Sequence, residues 1–251
     1  MVLKGGVRGY SIPLDSPLYP TGTPIVYYGC KVLIALATVD GASVDPLLPE
    51  GVDPASSEPL TAFWIGYYPI SNVGTYYEAL IAVQVTSREL PLAYYIPYIY
   101  VTNDQALASG RELLGAPKKL ARITLGWSTS GIRGTLFRNS KLMEVTLYPK
   151  DKVDIESLRQ LLPEEIPLLS VRVLPPLPGG MGLAQLVQWH ARITLDSRVK
   201  ALTGPVDLKL NSTSEDPLGK VKVRSVASGF YLEFDMELHV DRVVKEWVLK
   251  A

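Results

Sequence analysis

Gly110-Arg111-Glu112-Leu113-Leu114-Gly115-Ala116-Pro117-Lys118-Lys119-Leu120 is the stretch at which the chain turns from helical to extended sequence. On its N-terminal side Asn103 or Asp104 can cap a helix through Leu114, with Ala106, Leu107, Leu113 and Leu114 as its apolar surface. Gly115 is a C-terminal stop, and Pro117 lacks the N–H that a continuing helix would need. The residue before a proline is pushed to extended geometry, so the chain enters Lys118 as a strand and runs on through Ala121–Ser128. Successive side chains of a strand face opposite ways. Lys118 and Lys119 therefore cannot both enter one pocket: one faces the interior and the other needs its own partner. Taken by themselves, paired lysines at the start of a strand are ordinarily solvated.

Strand-like runs rich in Val, Ile and Tyr spread outward from this segment, bounded by Gly, Pro, Asn and Asp. They cover Val32–Thr38, Leu60–Tyr68, Leu80–Thr86, Ala93–Val101, Ala121–Ser128, Gly131–Phe137, Leu142–Tyr148, Leu168–Leu174, Ala184–Leu195 and Val221–Leu238. A second short helix fits Asp154–Leu162, where Pro163 follows as a terminator. The Pro/Gly stretch 174–182 is a loop rather than a linker, because strand-like sequence resumes on both sides. The pattern predicts a mainly β (β-rich α+β) chain forming one domain over residues 1–251. Its large antiparallel sheet is expected to be closed or packed like a barrel, since closure removes exposed edges, with a few short helices beside it.

Composition narrows the function. Lys plus Arg and Asp plus Glu are equal at 25 each, so the chain lacks the basic footprint of a nucleic-acid binder. No window reaches the roughly 18 to 20 apolar residues of a membrane span, and the first fourteen residues lack the apolar core of a leader. The expectation is a cytoplasmic protein without nucleic-acid or membrane partners. Cys30 is alone, and His190 and His239 are the only histidines, which excludes an intrachain disulfide, a Cys-rich zinc site and a three-His zinc; a site of both histidines with carboxylates stays open, although neither histidine sits in an HExxH pattern. No Gly-rich nucleotide loop is present. Gly126–Gly131 reads as a hairpin connection, and His190 as a strand histidine rather than a base.

The segment 110–120 resembles the lysine motif of the acetoacetate decarboxylase family, GRE followed by a short spacer and PKK. The similarity extends along the chain. Pro13-Leu14-Asp15-Ser16-Pro17-Leu18-Tyr19-Pro20 resembles the family's PLxSPxxP opening, and Leu48-Pro49-Glu50 its VPE-type turn. Tyr76-Tyr77-Glu78 resembles its YxE, Leu202-Thr203-Gly204-Pro205 its TGP turn, and the ending its final strand and helix. The resemblance implies a lyase that decarboxylates acetoacetate or a related β-keto acid without metal or organic cofactor, assembled as a homo-oligomer. Lys118 would be the Schiff-base lysine, Lys119 its catalytic neighbour and Glu78 an active-site carboxylate. Two other outcomes stay open: the same imine used for aldol or dehydration chemistry on another keto acid, or a non-catalytic small-molecule binder.

Such chemistry needs a neutral amine. At a reference pKa of about 10.4, roughly 0.04% of a lysine is neutral at pH 7, and bringing it to parity takes about 4.6 kcal/mol. An apolar wall or a nearby cation can supply this, and the family is itself the standing example of lysine activation. Strand alternation favours the wall over the Lys119 charge. Arg111 and Glu112 are expected to anchor the helix that presents the lysine. In two places the chain departs from the family. Cys30, with Lys31 beside it, stands where the family has an arginine, and about Trp64 where it has a second glutamate. Lys31 can replace that arginine only if it faces inward.

Overall fold

An extended run that is apolar at nearly every position has two buried faces. Ile25–Val39 (β1) is such a run: Val32 and Ile34 join one apolar cluster, while Leu33, Ala35 and Ala37 join another. Leu60–Tyr68 (β2) and Tyr76–Ser87 (β3) divide in the same way. Ala62, Trp64, Leu80 and Ala82 lie on the first side, and Phe63, Ile65, Ala79 and Ile81 on the second.

The computed structural model, which describes residues 9, 11–20, 22 and 24–250, shows what the two faces meet. β1, β2, β3 and Ala93–Val101 (β4) form an antiparallel series. The chain then passes through Asp104–Ser109 (α1), Lys118–Leu120 (β5) and the strands Arg122–Ser128 (β6), Gly131–Arg138 (β7) and Ser140–Leu147 (β8). Ile155–Leu161 (α2) precedes Glu165–Leu174 (β9) and Met181–Thr194 (β10), and Val206–Leu210 (β11) precedes Val223–Lys250 (β12). β4 pairs with β9, β9 with β10, and β10 with the second half of β12; the first half of β12 then pairs back onto β1. The hydrogen-bonded path therefore closes into a ring of seven strands. Its interior holds the first apolar cluster. The four-stranded sheet β6–β7–β8–β11 covers the outer faces of β1 to β3, where Ile132, Leu136, Val145 and Leu147 complete the second cluster.

The mainly β fold predicted from sequence is present, with differences of detail. The large sheet is not wholly antiparallel, because β4 pairs parallel with both β9 and β5. A parallel joint needs a long crossover, and residues 102–164, carrying α1, three strands of the smaller sheet and α2, supply it for β9. Among the described residues the C-terminal segment is strand through Lys250, where the resemblance implied a final helix: β12 is long because it serves β1 with one half and β10 with the other. The helix expected through Leu114 keeps α-form only to Ser109; Gly110–Leu114 widens into a π-type turn in which the Gly115 N–H reaches the Gly110 carbonyl. Lys200–Gly204 and β11 are strands that the sequence pattern does not predict; the first pairs with β12 and the second with β8. No described helix is long and apolar enough to cross a membrane. Most of the stretch read for a leader, residues 1–8 and 10, lies outside the described residues.

Three local signals aim the chain into β5. Asn103 caps α1 by accepting from the Ala106 N–H at 2.8 Å, and its side-chain amide donates to the Val73 carbonyl at 3.0 Å, tying the helix to the loop before β3. Gly115 adopts φ 74°, the left-handed stop expected of it. A Cβ there would also lie 2.5 Å from the Arg172 backbone nitrogen of β9. Gly115→Ala is expected to lose at least about 2 kcal/mol through φ strain and this backbone clash. Thermal melting should show a drop of roughly 4 to 8 °C; a wild-type melting temperature would contradict this role.

Candidate active site

Parity along β2, β3 and β5 determines what enters the ring. β5 lies beside β4 with Lys118 opposite Ile99 and Lys119 opposite Tyr100. Ile99 faces the interior and Tyr100 belongs to the outer cluster, so Lys118 points inward and Lys119 outward. Glu78 shares the inward parity of Leu80 and Ala82. The side chains meet there, with Lys118 Nζ 2.9 Å from Glu78 Oε2, and both residues are buried.

The pair is held in place by neighbours the sequence reading did not assign. Tyr68 donates its hydroxyl to Glu78 Oε1 at 3.2 Å, and Trp64 donates its indole N–H to the Tyr68 oxygen at 3.0 Å. Gly66 lies between them on the same face, where a Cβ would sit 2.9 Å from both the indole nitrogen and the phenol oxygen. Glycine there lets the two rings close over the strand. The Tyr76 ring lies 5.6 Å from Lys118 Nζ, and its hydroxyl meets that of Tyr27 at 3.0 Å. Burial first, and the Glu78 charge second, push the Tyr27, Tyr68 and Tyr76 hydroxyls well above the usual phenol range, so all three stay neutral. Gly110 completes the seat: a Cβ there would fall 2.4 Å from Lys118 Cδ and 2.5 Å from Cε. The lysine stem thus packs against bare backbone of the π-type turn.

Lys118 and Glu78, both buried, lie at the inner end of a cavity of about 320 Å³ within the ring. Its wall is apolar, with Ile34, Trp64, Ile96, Leu168, Trp189 and Leu232 among its residues. Among the described residues lining it, Lys118 is the only cation and Glu78 the only anion.

Lys119 does not join this site. It donates to Asp216 Oδ1 at 2.8 Å and to the Glu215 carbonyl at 2.7 Å on the far side of the sheet. Asp216 is fully buried and also accepts from Tyr100 at 2.9 Å. Burial pushes its carboxyl up, but the hydrogen bonds from Lys119 and Tyr100 outweigh this and hold it below the usual aspartate range. Lys119 is thus a tether that fixes the outward parity of β5. Arg111 donates to the Lys118 carbonyl at 3.3 Å and Glu112 accepts from Tyr19 at 2.7 Å, both anchoring the lysine segment. Cys30 is buried in the first apolar cluster and does not line the cavity; burial and then the Asp235 charge push its thiol up to about 12. Lys31 is exposed, opposite Glu233 on β12, and leaves the cavity without the cation it was considered to supply. Trp64, at the second departure, lines the cavity wall. His190 stacks on His239 with ring centroids 4.9 Å apart and meets Asp241 at 2.8 Å, away from Lys118.

A test of the tether follows from the linkage. A carboxyl whose folded pKa is depressed contributes stability above its unfolded pKa and loses it as pH falls through the folded value. Lys119→Met should therefore cost about 1–3 kcal/mol near neutral pH by leaving Asp216 short of a partner. The gap to wild type should close in acid, below the range where Asp216 titrates. Denaturant melts at several pH values measure it, and a gap that is absent at pH 7 or constant with pH would contradict the assignment.

Comparison with known proteins finds relatives of similar sequence and fold. The family model described as acetoacetate decarboxylase (ADC) matches residues 11–248. Acetoacetate decarboxylase 1 of Mesorhizobium japonicum is 31% identical over 253 residues, spanning 98% of each chain. A solved structure described as acetoacetate decarboxylase superposes with a TM-score of 0.81 at 25% identity, covering 97% of this chain and 99% of that one. The enduracididine biosynthesis enzyme MppR, solved with the condensation product of pyruvate and imidazole 4-carboxaldehyde, shares the fold with a TM-score of 0.74 at 20% identity, over 95% and 97% of the two chains. With a matching family model over almost its entire length and a relative of similar sequence from end to end, this chain belongs to the acetoacetate decarboxylase family.

Proposed function

We propose that this protein decarboxylates a β-keto acid to a ketone and CO2 through an imine on Lys118. The observation that carries the reading is the buried Lys118–Glu78 pair, 2.9 Å apart at the inner end of an apolar cavity. Passing a proton from the ammonium to Glu78 would leave a neutral amine, the form that attacks the ketone carbon. The carbonyl oxygen then leaves as water and a protonated imine remains. The bond between the α-carbon and the carboxyl group breaks, CO2 departs, and its electron pair forms an enamine as the iminium nitrogen is neutralised. Protonation at the α-carbon and addition of water release the ketone and return the lysine.

In this reading Glu78 carries protons in imine formation and hydrolysis, held to one orientation by Tyr68 and Trp64. Lys119 acts through position alone. The apolar wall favours loss of the carboxylate over chemistry that keeps it, because a retained carboxylate would stand in the cavity with Lys118 as its only described cation. No metal or organic cofactor enters the scheme. The family likeness supports a cytoplasmic homo-oligomer acting on small keto acids as the working form.

Two experiments test the proposal. Borohydride added with acetoacetate or a longer keto acid should leave one reduced adduct, mapped by peptide mass spectrometry to Lys118. Lys118→Arg should give none, and Glu78→Gln should lower turnover by about a hundredfold or more in a folded protein. An adduct on another lysine, or wild-type turnover in Glu78→Gln, would overturn the assignment. Gly110→Ala probes the seat of the lysine: its methyl would displace Cδ and Cε, and a misplacement of about 1 Å is worth roughly a hundredfold in rate. Turnover close to wild type would show that the packing of the stem against Gly110 is immaterial.

A further inference from the structure

Resting on the imine reading above, we propose that the cavity selects β-keto acids carrying an apolar chain of several carbons beyond the reacting carbonyl, and that acetoacetate is too short to use it. Depth is the first observation. Gly66 lies opposite Glu78 in the β2–β3 pairing, and from there Trp64, Ala62 and Leu60 line the same cavity at every second position. These six residue steps span roughly 20 Å along the strand, or about 15 Å along the axis of a ring with ordinary strand tilt. Exposure follows the same direction, from buried Tyr68 through half-buried Trp64, Ala62 and Leu60 to exposed Pro163 at the rim.

The chemistry of the wall is the second observation. Beyond the Lys118–Glu78 pair the lining consists almost wholly of aliphatic and aromatic side chains from the seven strands of the ring and from α2 and the segment after it. Cys30 is buried, Trp64 lines the cavity with its ring, and Lys31 is exposed, so none of the three adds a second cation or anion to the wall. An extended chain advances roughly 1.2 Å per bond, so the 15 Å accommodates about a dozen bonds. Acetoacetate, with four carbons, would occupy only the inner end and leave the remaining wall uncovered. A ligand with an alkyl chain covers that wall and gains about 0.8 kcal/mol per methylene, which is about fourfold in kcat/KM.

The test is a series of 3-oxo acids of four, six, eight, ten and twelve carbons. Expected is a kcat/KM rising about fourfold per methylene until the chain reaches the rim. Acetoacetate as the best substrate, or a flat series, overturns the inference; if borohydride still traps these acids on Lys118, the imine reading survives that failure. A readout free of catalysis uses the 2-alkanone products. Trp64 and Trp189 line the cavity, so their fluorescence should report ketone binding with a Kd that falls as the chain lengthens, and a Kd independent of length overturns the inference. Should no acid be trapped at all, the imine reading fails and this titration alone decides the present one. Ala62→Phe, placed midway along the wall, should cut the ratio of eight-carbon to four-carbon kcat/KM at least tenfold. An unchanged ratio in the folded variant would contradict the proposed path of the chain.

Discussion

Two lysines adjacent in an extended strand must face opposite ways, and in this protein the pairing of β5 with β4 settles which one goes inside. Lys118 follows Ile99 into the ring and Lys119 follows Tyr100 out of it. Everything near the site reinforces that choice. Gly110 leaves space for the inward stem, Gly115 and Pro117 bring the chain into β5 already extended, and Asp216 holds the outward lysine. A slip of one residue would send Lys119 into the cavity and leave Asp216 buried without it.

Burying a charged pair costs several kcal/mol per ion unless geometry and further hydrogen bonds offset the loss of water. The Glu78 carboxylate meets that condition with Lys118 on one oxygen and Tyr68 on the other, while Trp64 satisfies the Tyr68 oxygen in turn. This chain is short and directional. It spends the polar capacity of the inner cavity at one end and leaves the rest of the wall apolar, which is why the ring encloses a ligand-sized space with its chemistry concentrated at its base. The two-faced strands β1 to β3 make the arrangement rigid, since their outer sides are packed against the smaller sheet.

Much of the fold could be read from local pattern. The continuous apolar runs marked β1 to β4 because strands buried on both faces lose their alternation, and the caps Asn103 and Gly115 stand where their chemistry requires. The parallel joints and the extension of β12 to Lys250 could not be read, because pairing partners far apart in sequence leave no local signature. At the site, Lys118 and Glu78 were legible through the motifs that contain them, and the opposite facing of the two lysines through strand geometry. Tyr68, Tyr27 and Gly66 were not, although Tyr68, Gly66 and Trp64 share one parity on β2 that a known inward residue would have exposed. Asp216 was beyond reach, lying 97 residues from the lysine it holds.

The most direct measurement is a crystal structure of the protein reduced with borohydride in the presence of an eight-carbon 3-oxo acid. The account requires continuous density from Lys118 Nζ to the former carbonyl carbon, with Glu78 beside it and the alkyl chain running past Trp64 and Ala62 toward Leu60. Density on a different lysine, or a chain lying in solvent outside the ring, would contradict it.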